Sequence, residues 1–188
     1  MKIISRIFLG IIIFCALFLL LNQAKIRAVV YSNRGTAHLN MEEYEQAIQN
    51  YDKAIELNPN LAIAYNNRGN AYEDKGEYDR AIQDYDKAIE LNPNLAIVYN
   101  CRGNAYEDKG EYDRAIQDYN KAIELDPEYA TAYNNRGNVY VDKGKYDQAI
   151  QDYNKAIELD PENAEFYTNN RKLAEKLKKV YKKIADRY

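Results

Sequence analysis

Apolar and polar positions over residues 28–163 recur with helical spacing and then repeat as a block. In residues 62–74, Tyr65, Gly69 and Tyr72 fall at i, i+4 and i+7, one face of a helix. In residues 77–91, Tyr78, Ala81, Ile82, Tyr85, Ala88 and Ile89 follow at steps of three and four, predicting a second amphipathic helix. Lys75-Gly76 separates the two, because glycine is free to take the positive φ of a helix end. Asn92-Pro93 stops the second helix, since proline lacks a backbone donor and disfavours helix in the residue before it. No stretch alternates with a period of two, so no strand is predicted. Connectors this short force neighbouring helices antiparallel.

The block has a period of 34 residues. Residues 62–95 and 96–129 are identical at 28 of 34 places, and 28–61 and 130–163 are the same unit with more drift. A fixed period of this length means stacked helical units and no single globular core. The chain therefore divides into residues 1–27, four repeats (28–61, 62–95, 96–129 and 130–163), and a basic amphipathic segment, 164–188. In that last segment Ala164 and Tyr167 fall in phase with the repeats, and Arg171 stands in place of the glycine. Leu173, Leu177, Val180, Tyr181, Ile184 and Tyr188 then form one apolar stripe among lysines. A capping helix is predicted, with docking to an acidic groove or an anionic lipid surface as the sharper alternatives.

The set Tyr65, Gly69, Tyr72, Ala81, Tyr85, Ala88, Pro93 resembles the tetratricopeptide repeat signature. It recurs as Tyr99, Gly103, Tyr106, Ala115, Tyr119, Ala122, Pro127 and as Tyr133, Gly137, Tyr140, Ala149, Tyr153, Ala156, Pro161. The first unit keeps Tyr31, Gly35, Ala47, Tyr51, Ala54 and Pro59, with His38 in a tyrosine place. The resemblance implies an all-α, right-handed α-solenoid of four helix-turn-helix repeats with a C-terminal capping helix, and the apolar run near the N-terminus adds a hydrophobic helix before it. It also implies a concave groove, lined by the first helices, that holds a peptide or a partner helix. Carried onto this chain, the groove candidates are Asn66, Asn70, Glu73 and Asp74, then Asn100, Asn104, Glu107 and Asp108, then Asn134, Asn138, Val141 and Asp142. The branch of the family that grips a terminal carboxylate uses groove lysines where this chain has Ser32, Asn66, Asn100 and Asn134.

Arginine departs from the family pattern. Arg34, Arg68, Arg102 and Arg136 precede the glycine, where the family more often has leucine. Antiparallel pairing brings each close to the middle of its second helix, where Asp84, Asp118 and Asp152 recur and the first unit has Asn50. A structural ladder is predicted, Arg68–Asp84, Arg102–Asp118 and Arg136–Asp152, with guanidinium presentation to a ligand as the alternative.

Charge is unevenly placed: +4 over 1–27, −12 over 28–163 and +5 over 164–188. An acidic body repels a phosphate backbone, which excludes nucleic acid as its partner and favours basic or helical proteins. Residues Ile7 to Leu21 are fifteen in a row without charge. With Ile3, Ile4 and Ser5 and a snorkelling Arg6 they suit a single-pass anchor over 3–21. A cleaved signal peptide and a buried core helix are the other readings. Lysine and arginine flank both sides, so orientation rests on the hydrophobic start near the N-terminus, which favours extracytoplasmic repeats.

Nothing in the residues recommends catalysis, a cofactor or a metal centre. The acids read as solvated and repeat-phased, and the single histidine, His38, reads as a filler of the tyrosine slot. Cys15 and Cys101 are too few for a disulfide framework or a four-ligand zinc site, and no histidine stands ready to activate Cys101. The expected function is a non-enzymatic, membrane-tethered interaction scaffold. The alternative is a self-assembly unit that sets the acidic body against the basic C-terminal helix.

Overall fold

The computed structural model describes the backbone of residues 2–186 and the side-chain surroundings of residues 18–186. The element order is α1 (Lys2–Leu39), α2 (Tyr44–Leu57), α3 (Ala62–Asp74), α4 (Tyr78–Leu91), α5 (Ala96–Asp108), α6 (Tyr112–Leu125), α7 (Ala130–Asp142) and α8 (Tyr146–Leu159). A 3-10 turn (Pro161–Asn163) then leads into α9 (Ala164–Ala185). The described residues contain no strand. Each helix pair packs within its repeat, and each second helix packs on the first helix of the next. First helices also touch one another, α1 to α3, α3 to α5, α5 to α7 and α7 to α9, whereas second helices do not. The stack therefore curves, and the first helices line its inner face.

The packing follows from one glycine and one tyrosine per repeat. Tyr51, Tyr85, Tyr119 and Tyr153 are buried side chains among the largest in the core. A Cβ at Gly69 would lie 2.6 Å from Cε1 of Tyr85, and the same holds at Gly35 against Tyr51 and Gly103 against Tyr119. Glycine is what lets the ring lie against the first helix. The turns repeat as well. Gly76, Gly110 and Gly144 take φ of 75°, 73° and 69°, and Glu42 holds the same place in the first repeat at φ 60°. The residues before each inter-repeat proline are extended, with Asn92 Oδ1 accepting from Asn94 N at 3.2 Å to close the turn.

Two sequence expectations change here, and a third lies outside the described residues. The boundary expected at residue 28 is no break in structure: α1 runs unbroken from Lys2 to Leu39, because residues 22–27 contain neither glycine nor proline. The span expected at 3–21 falls mainly on residues whose side chains lie outside the described ones. Among the described residues no helix is long and apolar enough to cross a membrane.

The second change concerns α9, which is one residue out of phase with the repeats. Lys109–Asp79 and Lys143–Asp113 are 30 residues apart, and Lys178–Asp147 is the matching pair at 31. Arg136 reaches Asn120 across 16 residues, and Arg171 reaches Asn154 across 17. Asn135 reaches Asn100 across 35, and Asn170 reaches Asn134 across 36. Arg171 therefore continues the arginine row and does not stand in the glycine place. The turn before α9 is as long as the others, with residues 160–163 between α8 and α9 as 126–129 lie between α6 and α7, but it is wound as a 3-10 helix at Pro161–Asn163, and the shift goes with that winding. The apolar stripe is mostly uncovered: Leu173 is 54% exposed, Val180 45% and Ile184 49%. Tyr188 lies outside the described residues.

Candidate functional site: the inner face

The inner face is built from one stripe per first helix. Helical spacing aligns Ile63, Asn67, Asn70 and Asp74 on α3, and Ile97, Cys101, Asn104 and Asp108 on α5. On α7 the same stripe reads Thr131, Asn135, Asn138 and Asp142. Across the face this gives an apolar edge, an amide floor and an acidic edge. Ile63 and Ile97 are 44% and 47% exposed, and Asp74, Asp108 and Asp142 are exposed at the other edge.

The amide floor is bonded from beneath and from the side. The Tyr85 hydroxyl lies 2.8 Å from Asn70 Oδ1 and 2.5 Å from Glu73 Oε2. Tyr119 repeats this with Asn104 and Glu107, and Tyr153 with Asn138. Sideways, Asn135 Nδ2 donates to Asn100 Oδ1 at 3.2 Å and to Asn104 Oδ1 at 3.0 Å, tying α7 to α5. One repeat earlier, Cys101 holds the place of Asn135. There Asn66 Oδ1, on a side chain only 1% exposed, has no hydrogen-bond partner. Leu39, Asn40, Asn70, Glu73, Asp74, Cys101 and Asn104 line an open pocket at this point.

Several candidate residues therefore sit differently from their sequence reading. Asn66, Asn100 and Asn134 are buried and do not face the groove. They turn toward the next repeat's first helix, where Asn100 meets Asn135 and Asn134 meets Asn170. Asn70, Asn104, Asn138 and Asp142 lie on the inner stripe, with Asp74 and Asp108.

Glu73 and Glu107 are not solvated acids. Burial pushes the Glu73 carboxyl up to about 7, assisted by the negative charges of Asp108 and Asp74 and opposed by the Tyr85 hydrogen bond. Burial raises Glu107 for the same reason. Burial, with the charge of Glu73 beside it, also pushes the Cys101 thiol up to about 12, which leaves it protonated and unreactive at neutral pH. His38 is half-exposed, its Nδ1 2.6 Å from Glu43 Oε2, and does not fill a buried slot.

The arginine row lies away from this face. Arg68 Nε and Nη2 meet Asp84 at 2.7 and 2.6 Å, Arg102 meets Asp118 at 2.7 and 2.7 Å, and Arg136 meets Asp152 at 2.8 and 2.7 Å. The fork geometry is bidentate. Each arginine also reaches back one repeat, Arg68 to Asp52, Arg102 to Asp86 and Arg136 to Asn120, all at 2.5 Å. That second bond escaped the sequence reading, although the recurrence of Asp52, Asp86 and Asn120 at the period of the repeat was its signal.

The glycine–tyrosine pairing and the 34-residue period agree with what family models find. Models described as tetratricopeptide repeat match residues 28–61, 62–95, 84–117 and 130–163, and one described as TPR repeat matches 103–142. The chain belongs to the tetratricopeptide repeat family. Among solved structures, this tetratricopeptide repeat protein is similar to the crystal structure of MamA, with 30% identity and a TM-score of 0.66. That match covers 73% of this chain and 81% of MamA. It is also similar to the first TPR of Spaghetti (RPAP3) bound to the HSP90 peptide SRMEEVD, with 26% identity and a TM-score of 0.60. Coverage there is 61% of this chain and 91% of that one. The Arabidopsis OM64 TPR domain matches with 28% identity and a TM-score of 0.60, over 62% of this chain and 96% of that domain. A search of curated proteins finds no match. Tetratricopeptide repeats mediate protein–protein interaction, which is the coarse function of this chain.

Proposed function

We propose that the inner face of the repeats is a docking groove for a basic, amphipathic protein segment, and that the chain is a non-enzymatic scaffold. The carrying observation is the grading of that face: exposed Ile63 and Ile97 along one edge, asparagine amides between, exposed Asp74, Asp108 and Asp142 along the other. Amides bond a peptide backbone whatever its sequence, and the carboxylates select lysine and arginine. The Spaghetti domain's bound peptide, SRMEEVD, carries two glutamates and an aspartate. An acidic groove favours the opposite charge.

Membrane tethering through residues 3–21, with the repeats on the extracytoplasmic side, belongs to the same proposal. Its support is the apolar run Ile7 to Leu21. The test of the groove is selection of displayed random peptides on the full chain, followed by anisotropy titration of the winners. Enrichment of basic amphipathic sequences, lost in a D74N/D108N/D142N variant, supports the reading. Enrichment of acidic sequences, or binding indifferent to that variant, overturns it.

A further inference from the structure

The one-residue shift of α9 changes what its exposed side chains mean. In the shifted register, Phe166 takes the place of Ile63 and Ile97, Asn170 that of Asn135, and Leu173 that of Asn70 and Asn104. Leu177, Val180 and Ile184 extend the same stripe along the helix. On α9 the inner face thus carries a stripe that is apolar apart from Asn170. Phe166 is 57% exposed, and Leu173, Val180 and Ile184 are uncovered with it. Among the described residues from 63 onward, every large hydrophobic side chain that is exposed lies on this inner stripe, apart from Tyr181 at its border.

Beside the stripe, on the flank turned away from α8, stand Lys172, Lys176, Lys179 and Lys183. The flank facing α8 carries Tyr167, Ala174 and Lys178, with Lys178 paired to Asp147. Among the described residues none of those four lysines makes an ion pair, and neither do Asp74, Asp108 and Asp142. Most lysines elsewhere on the repeats are paired: Lys75 with Glu45 and Glu77, Lys109 with Asp79 and Glu111, Lys143 with Asp113. The molecule therefore holds two unmatched surfaces of opposite charge, each with an apolar row and a charged row. The groove has isoleucines on one edge and aspartates on the other, across the amide floor, and α9 has Leu173, Val180 and Ile184 beside lysines.

We infer that the chain associates with a second copy of itself through these two surfaces, α9 of one copy lying in the groove of the other. Apolar row meets apolar row, and the lysine flank meets the aspartate edge. Both surfaces belong to the inner face, so two inner faces closing on each other satisfy both contacts at once around a two-fold axis. Such a dimer closes and does not grow into a fibre. An anionic lipid surface is the competing occupant of α9, but it would leave the acidic edge of the groove unmatched. The inference rests on the groove being a binding face, and α9 variants separate the two, because they leave the chain's own groove intact.

The test is self-capture of the full chain in non-ionic detergent, one copy tagged and one untagged, across four forms. Wild type is expected to capture itself, and the capture to fall about tenfold between ~0.05 and ~0.5 M salt as exposed charges are screened. K176E/K179E/K183E and D74K/D108K/D142K should each lose self-capture, capture one another when mixed, and regain self-capture when joined in one chain. Cross-linked mass should stop at the dimer. Loss of self-capture in the α9 variant with peptide binding retained supports the inference. Overturning results are a monomeric wild type at about 100 µM, single and joined reversals that behave alike, or α9 lysines that matter only for pelleting with phosphatidylserine vesicles.

Discussion

Glu42 is a residue with a local cost. It takes φ 60° in the turn where the other repeats place Gly76, Gly110 and Gly144. A side chain in the left-handed region costs about 1–2 kcal/mol. Its charge also raises the neighbouring Asp74 carboxyl, after the larger effect of burial. Glu42→Gly is expected to stabilise the fold by about 1 kcal/mol, read as a thermal midpoint ~3 °C higher. Glu73 has a cost of a different kind. Its carboxyl titrates near 7 in the fold, against an ordinary 4.5. The folded chain therefore holds a proton that the unfolded chain has lost between those values, so this group's contribution to stability falls as pH rises from about 4.5 to about 7. The full difference is about 3 kcal/mol at ~1.4 kcal/mol per unit. Urea unfolding of wild type and Glu73→Gln at pH 4.5 and 8 should show the wild type losing more stability than the variant over that rise. Equal slopes would remove Glu73 from the account.

Between elements, the seam from α3 to α5 differs from the seam from α5 to α7. At the second, Asn135 donates to both Asn100 and Asn104; at the first, Cys101 leaves Asn66 Oδ1 without a donor. A buried acceptor without a partner costs about 1–3 kcal/mol. Cys101→Asn should therefore stabilise the chain by about 1 kcal/mol in equilibrium unfolding, and a Cys101→Ala control should not. The thiol contributes packing at this place, since Cys101 lies against the core cluster around Tyr85 and Tyr119. A loss of stability in the asparagine variant would mean that this packing outweighs the bond.

At the scale of the molecule, a stack of repeats is held by nearest-neighbour interfaces, and its ends are set by what they lack. The first repeat has no bidentate arginine link: Arg34 is exposed, and Asn50 spends its amide on the Gln46 carbonyl. The three later repeats each have one, with Asp84, Asp118 and Asp152 all less than 10% exposed. Amides of α2 are expected to exchange with solvent faster than those of α4 and α6 under native conditions, by about tenfold for each ~1.4 kcal/mol of missing interface. Protection in α2 equal to that in α6 would show that α1 compensates through its length.

The sequence by itself determined the repeat, the helix pairs, the turns and the place of each arginine opposite its aspartate. These follow from spacing within 34 residues, where glycine, proline and the helical period act locally. Half of the inner-face residues were legible for the same reason, Asn70, Asn104, Asn138 and the terminal aspartates lying on a stripe that helical spacing defines. Tertiary structure decided the rest. Asn66, Asn100 and Asn134 are one helical step off that stripe and meet the next repeat, and Glu73 becomes buried only when Tyr85 and α5 close over it. The register of α9 goes with the winding of the turn at Pro161–Asn163, which is 3-10 there and not in the earlier turns of the same length. It turned a reading of Arg171 as a misplaced glycine into the last arginine of the row, and put Phe166 and Leu173 on the inner face. A one-residue step rotates every side chain of a helix by about 100°, and only packing against α8 fixes which step is taken.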